Sequence, residues 1–361
     1  MKSLNFLLML TVAACSFGLS QGSPVEIVPP ELRGASQPQV AVSPKDEVYV
    51  AFGRNGSFYC AAALDGGKTF GRPVLVGSLE KPALGRRRGP RVAAGSHGVV
   101  ISAISHADGN LVSWHSVDRG KTWSAARRIN STTNSAREGL HAMTGDGREK
   151  VYAAWLDLRN GKTELWGAAS QDGGSTWGEN RLIYKSPGGS ICECCHPSLA
   201  VDGRGRVWAM WRNSLDGARD MYASVSDDGG KSFSEARKLG SGTWTLKACP
   251  MDGGQVAFDA EGRLLTVWRR DKAILAANGM DERLLSAQGL QPVIGVGGGA
   301  VFRLWQQGKQ LMLKKDSDEP VVFARDAEFA SIASASASAT PVVVWESNID
   351  GAKTIFAQRL D

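Results

Sequence analysis

The chain has 361 residues, with 43 glycines, 11 tryptophans and 22% charged residues, the make-up of a turn-rich globular protein able to build a sizeable core. Its formal net charge of +6 is spread along the chain and forms no basic stripe with interleaved aromatics, which argues against nucleic acid and leaves a mild preference for anionic ligands. Beyond the N-terminal segment no apolar run is long enough to span a bilayer.

Residues 1–22 read as an export signal: Lys2 supplies the positive region, residues 4–12 the apolar stretch, and residues 12–15 (VAAC) resemble the lipobox of bacterial lipoproteins. On that reading Cys15 becomes a lipid-bearing first residue, and the anchor is the chain's only link to a membrane; ordinary cleavage at residues 20–23 is the alternative. Either way the protein is expected in the periplasm or cell envelope, or secreted, with residues 24–361 as one domain.

Residues 25–28, in a Pro-rich lead, offer a closing strand. From residue 39 the chain repeats a rhythm of apolar strand, turn, aromatic-ended strand, loop, third strand, turn and fourth strand. Four of these turns share one pattern: ALDGGKTF (63–70), SVDRGKTW (116–123), SQDGGSTW (170–177) and SDDGGKSF (226–233), starting 53, 54 and 56 residues apart. Spacing this regular marks a stacked supersecondary unit. The turn residues Asp65, Asp118, Asp172 and Asp228 are read as structural: each carboxylate accepts bonds from its own turn backbone, and the glycines supply the positive φ of a tight reversal. Later units begin near residues 255, 292 and 331 without recognisable boxes, the low-complexity stretch 327–339 supplying an inner strand and turn. Units of this size cannot bury their apolar faces alone, so they close into a ring. The expectation is an all-β, single β-propeller of four-stranded blades. Seven units are counted, the last completed by the N-terminal strand, and six remains open.

In such a ring, the segments leading into the innermost strands share one face with the loops between second and third strands. That places Arg91, His141, Asp252, Arg212, Arg219 and Arg269 together as candidate binders of an anionic ligand or glycan. Arg86, Arg87 and Arg88 read as a solvated loop, and Arg219 with Asp220 as a local ion pair. The same face collects a soft-ligand set, Cys192, Cys194, Cys195 and His196 from one unit with Cys249 and Met251 from the next, suited to copper or zinc. Cys60, in an alternating strand, reads as a buried free thiol. In an oxidising compartment disulfides compete with the metal reading, for instance Cys249 to one of the other three.

The S-x-D-x-G-x-T-W/F turns resemble the Asp-box of sialidase-superfamily propellers, and CECCHP with ACPMDGG is similar to a group of bacterial sialidase-like proteins. The resemblance implies, in true sialidases, six blades, three arginines clamping a carboxylate, an Asp acid/base and a Tyr nucleophile activated by a Glu. This chain departs from it: no Arg-Ile-Pro signature is present, Arg91-Val92-Ala93 is a loose substitute, and all five tyrosines fall in the first four units. The reading is a binding or accessory protein with a Cys/His/Arg site at the channel mouth for a soft metal ion or anionic ligand. A sialidase-type glycoside hydrolase, and a scaffold with structural disulfides that contacts a periplasmic or cell-surface protein, are the alternatives.

Overall fold

The computed structural model describes residues 22–278 and 281–361. The export signal and Cys15 lie outside the described residues. Seven four-stranded antiparallel sheets stand around a central channel, and six of them run in sequence order from the inside outward, while the seventh takes its outermost strand from the N-terminus. Their innermost strands are Ser36–Val42, Arg91–Ala94, His141–Gly145, Ser198–Val201, Gly254–Phe258, Leu290–Gly297 and Ala327–Ala333. Neighbouring innermost strands touch all the way round, the seventh meeting the first. Seven blades are therefore the count, and 327–333 is a strand as the low-complexity reading expected.

The ring closes through the N-terminus. Val25–Glu26 pairs with Ala352–Arg359, placing Val25 opposite Ala357 as the outer strand of blade 7. A polar lock reinforces this closure: Glu346 of blade 7 accepts from the backbone N–H of Gln37 at 2.6 Å and its side-chain amide at 2.9 Å, while Lys353 Nζ lies 2.7 Å from the other carboxylate oxygen.

The core is divided among the contacts between blades. Phe58, Val76 and Tyr49 of blade 1 pack with Ile101 and Trp114 of blade 2, and Met210 and Met221 of blade 4 pack with Trp268 and Leu275 of blade 5. Each sheet is apolar on both faces because both meet a neighbour, which is why the second strands read as near-continuous apolar runs, as in Val151–Asp157. The four box turns connect third to fourth strands on the face away from the lead-in segments. In the second, Asp118 accepts from the N–H groups of Lys121 and Thr122 at 3.1 and 2.9 Å and from the Thr122 hydroxyl at 2.6 Å. Gly120 there has a φ of 79°. Hydrogen bonds hold these carboxylates below the ordinary aspartate value: Thr122 draws Asp118 down to about 2, and Thr69 lowers Asp65.

Candidate functional site

The lead-in to blade 4 is pinned just ahead of its first turn by two adjacent residues. Ile191 N–H donates to Thr163 O of blade 3 at 2.9 Å, and Cys192 N–H to Arg212 O at 3.0 Å. This anchoring folds the CECC run back on itself, so that three thiols converge. Cys192 Sγ lies 3.4 Å from Cys195 Sγ and 3.7 Å from Cys194 Sγ, and all three sulfurs fall within 4.8 Å of one another. They are 1%, 1% and 8% exposed for Cys192, Cys195 and Cys194. A disulfide needs about 2.05 Å. The five described cysteines are all free, so the disulfide expectation does not hold among the described residues.

Blade 5 brings the second sulfur-bearing segment alongside, as its matching position in the repeat requires. Met251 packs against the three thiols, and the exposed Cys249 lies close enough to Cys194 to act on its thiol. Met251 holds a left-handed φ of 55°, and its carbonyl accepts from the Gln291 side chain at 2.8 Å. His196 departs from the expected ligand set. It lies outside the thiol group, half-buried in the channel wall, where Nδ1 accepts from Gly253 N–H at 3.3 Å.

Enclosure keeps the thiols protonated. Its bond with Cys194 pushes Cys192 up to about 11, and burial pushes Cys195 up to about 12, with Arg212 pulling the other way. For Cys194 the bond with Cys192 favours the thiolate, but the bond with Cys195, burial and Cys249 outweigh it, and the thiol ends well above its usual value. A bound cation would reverse this balance, since thiolates rather than thiols ligate metals.

The expected arginine cluster is divided by the packing. Arg212 is buried and spends its guanidinium on carbonyls: Arg219 O at 2.6 Å, Arg269 O at 2.8 Å and Asp252 O at 3.1 Å. Both Arg212 and Arg269 stack on Trp244, at 5.2 and 5.4 Å from its ring centroid. Arg269 lies 3.5 Å from the fully buried Asp252, whose carboxyl is raised by burial and whose Oδ1 has no hydrogen-bond partner. Arg219 makes no ion pair with Asp220. That carboxylate meets Lys238 Nζ at 2.8 Å and Trp244 N–H at 2.8 Å instead, because consecutive residues of an extended segment face opposite ways. Arg91 lines the channel, whereas His141 is fully buried between blades 2 and 3: its Nε2 lies 2.9 Å from Ser102 Oγ, and burial and Arg91 hold its pKa well below the ordinary value.

The triple-arginine run is a solvated loop only in part. Arg86 is exposed, but Arg87 is 4% exposed and crosses the channel to blades 6 and 7, donating to Gln291 Oε1 at 2.7 Å, Gln291 O at 2.8 Å and Ala330 O at 2.8 Å. Arg86 and Arg87 take consecutive φ values of 52° and 67° at the tip of a tight turn from Gly85 to Arg88. Asn-Gly is the usual pair for such a turn, so nothing in the sequence marks the arginines as its tip. Gln291 and Trp244, which hold Arg87 and the Arg212–Arg269 pair, carry no sequence signal either. No tyrosine lines the channel cavity.

The sequence model of the BNR repeat-like domain family matches residues 97–270. A search of curated proteins found no match. Among solved structures, a protein of unknown function from Dyadobacter fermentans is similar at 16% identity and a TM-score of 0.55, over 94% of this chain and 98% of its own. An intramolecular trans-sialidase from Ruminococcus gnavus aligns at 11% identity and a TM-score of 0.52, over 91% and 94%. An ulvan lyase of polysaccharide lyase family 25 aligns at 13% identity and a TM-score of 0.54, over 92% and 95%. At these identities the likeness is one of fold. Seven blades in a ring, Asp-box turns in four of them and the BNR repeat-like match over residues 97–270 make the chain similar to the sialidase-like β-propellers.

Proposed function

We propose that this propeller is an exported binding or accessory protein that holds a soft metal ion, copper(I) before zinc, at the channel mouth through Cys192, Cys194 and Cys195. The observation that carries the reading is the set of three buried, unbonded sulfurs within 4.8 Å of one another. An ion about 2.3 Å from each sulfur sets sulfurs roughly 4.0 Å apart in a trigonal plane. The spacings of 3.4 and 3.7 Å reach that with shifts of a few tenths of an ångström. Thiolates with a thioether beside them favour copper(I), which is content with three ligands. Zinc wants a fourth, which Cys249 or Met251 is near enough to supply. Arg212 supports the same reading, since its positive charge acts on Cys195 and would offset the negative charge of a tris-thiolate centre. No sugar chemistry is carried over from the neighbouring folds, because the channel offers no tyrosine nucleophile.

The test is metal analysis of protein purified anaerobically under reductant, followed by titration with copper(I) against a chromophoric chelator. Roughly one equivalent, with a thiolate-to-copper absorption band in the near ultraviolet, is expected. Protein that retains neither metal and loses copper(I) to a weak chelator would sink the proposal.

A further inference from the structure

The channel behind the thiols has a character of its own. The innermost strands enclose a cavity of about 100 Å³, to which all seven blades contribute. Its charged and polar lining consists of Arg87, Arg91, His196, Gln39, Gln255 and two serines, and no aspartate or glutamate is among them. Arg87 and Arg91 are 4% and 8% exposed. Neither lies within 4.0 Å of a carboxylate among the described residues, and the acids that act on Arg87 from further off are already engaged. Asp252 is taken by Arg269 and by Gln291 N–H, and Glu346 by Lys353 and Gln37. The acceptors bound to the two guanidinia are neutral: Gln291 and Ala330 for Arg87, and the carbonyls of Gly89, Pro90 and Arg87 for Arg91. Carbonyls satisfy the donors but do not neutralise two like charges withdrawn from water.

Three of the remaining polar groups are set to donate. Gln255 Oε1 accepts from Ile294 N–H at 3.0 Å, which leaves its amide NH₂ for the cavity. Ser198 Oγ accepts from Val256 N–H at 3.2 Å and Ser331 Oγ from Val40 N–H at 3.3 Å, so both hydroxyl protons are left to donate. Two buried cations and three neutral donors converge on a space well below the roughly 300–1,000 Å³ of pockets that take larger ligands. We propose that the channel binds one compact oxyanion, of phosphate, sulfate or small carboxylate size, between Arg87 and Arg91. The strained Arg86–Arg87 turn is the device that delivers Arg87 to this site from the mouth. This site is separate from the thiols, none of which lines the cavity.

The test is calorimetry and thermal denaturation of the full chain in 0.1–10 mM phosphate, sulfate or acetate, with gluconate holding the ionic strength as a reference anion too large for the cavity. Saturable one-site binding and a melting temperature that climbs with anion concentration are expected, and the preferred anion separates tetrahedral from carboxylate ligands. Gln255→Glu keeps the oxygen that accepts from Ile294 N–H and supplies an internal counter-charge. It should fold, melt no lower than the native chain in gluconate, and bind the anion at least tenfold more weakly. Cys195→Ser should bind it as the native chain does, which separates this site from the metal proposal. Absence of saturable binding to the native chain, or native affinity in Gln255→Glu, overturns the inference.

Discussion

Replacing Cys195 by serine removes one of three sulfurs while disturbing little else. The side chain is 1% exposed and 3.4 Å from Cys192, and serine occupies nearly the same volume. A hydroxyl among thiols costs the apo protein about 1 kcal/mol on scales from protein mutations. Loss of the ligand should cost far more. Four-ligand structural zinc sites bind with about 10–16 kcal/mol, so a single ligand is worth roughly 3–4 kcal/mol, or about 10²- to 10³-fold in affinity. The assay is competition for copper(I) against a chelator of known affinity, run beside thermal melts with and without metal. Native protein at about 1,000 times its Kd should gain about 4 kcal/mol from the ion, and the variant almost nothing. Cys60→Ser is the control, because Cys60 lies in the core between blades 1 and 2, far from the thiol group. If Cys195→Ser holds copper(I) within threefold of the native protein, the three sulfurs are not its ligands.

Four other outcomes are expected. Metal binding should weaken as pH falls, because Cys192 and Cys195, raised to about 11 and about 12, are protonated at neutral pH and must each release a proton; affinity measured at pH 6.5 and 7.5 should differ by more than tenfold. Acid should loosen the box turns: the Asp118 carboxylate, lowered from 3.8 to about 2, contributes stability that is present above pH 4 and lost as pH falls towards 2, and Asp118→Asn should blunt the drop in melting temperature over that window. Glu346→Ala should destabilise by on the order of 3 kcal/mol, read from denaturant midpoints, since it strips partners from Gln37 and Lys353 where blade 7 meets blade 1. Arg303→Met should raise the melting temperature by an amount equivalent to about 1–2 kcal/mol, because this 2%-exposed guanidinium has Nε and Nη1 without partners and burial lowers its pKa to about 10.

The architecture was legible because it is local and repeated. Each Asp-box turn is built from hydrogen bonds within a few residues, so Asp118 with Thr122 announces the same hairpin wherever the pattern occurs, and the spacing of the copies gives the stacking unit. The convergence of the CECC and CPMD segments followed from the same logic, as equivalent positions in adjacent blades must be neighbours, and Met251 does pack on the thiols. The direction of individual side chains was not legible, because it is fixed by partners distant in the chain. His196 was grouped with the thiols by adjacency, yet Gly253 of the next blade draws its ring into the channel wall. Arg212 was grouped with surface arginines, yet the carbonyls of Asp252 and Arg269 capture it. Arg87 was read as solvated, yet Gln291 and Ala330, some two hundred residues or more along the chain, hold it across the channel. Periodicity and turn chemistry alone thus determined the ring and the neighbours of each segment. Only closure of the ring decided which polar groups face one another across it, since buried donors must find acceptors wherever the opposite blades present them.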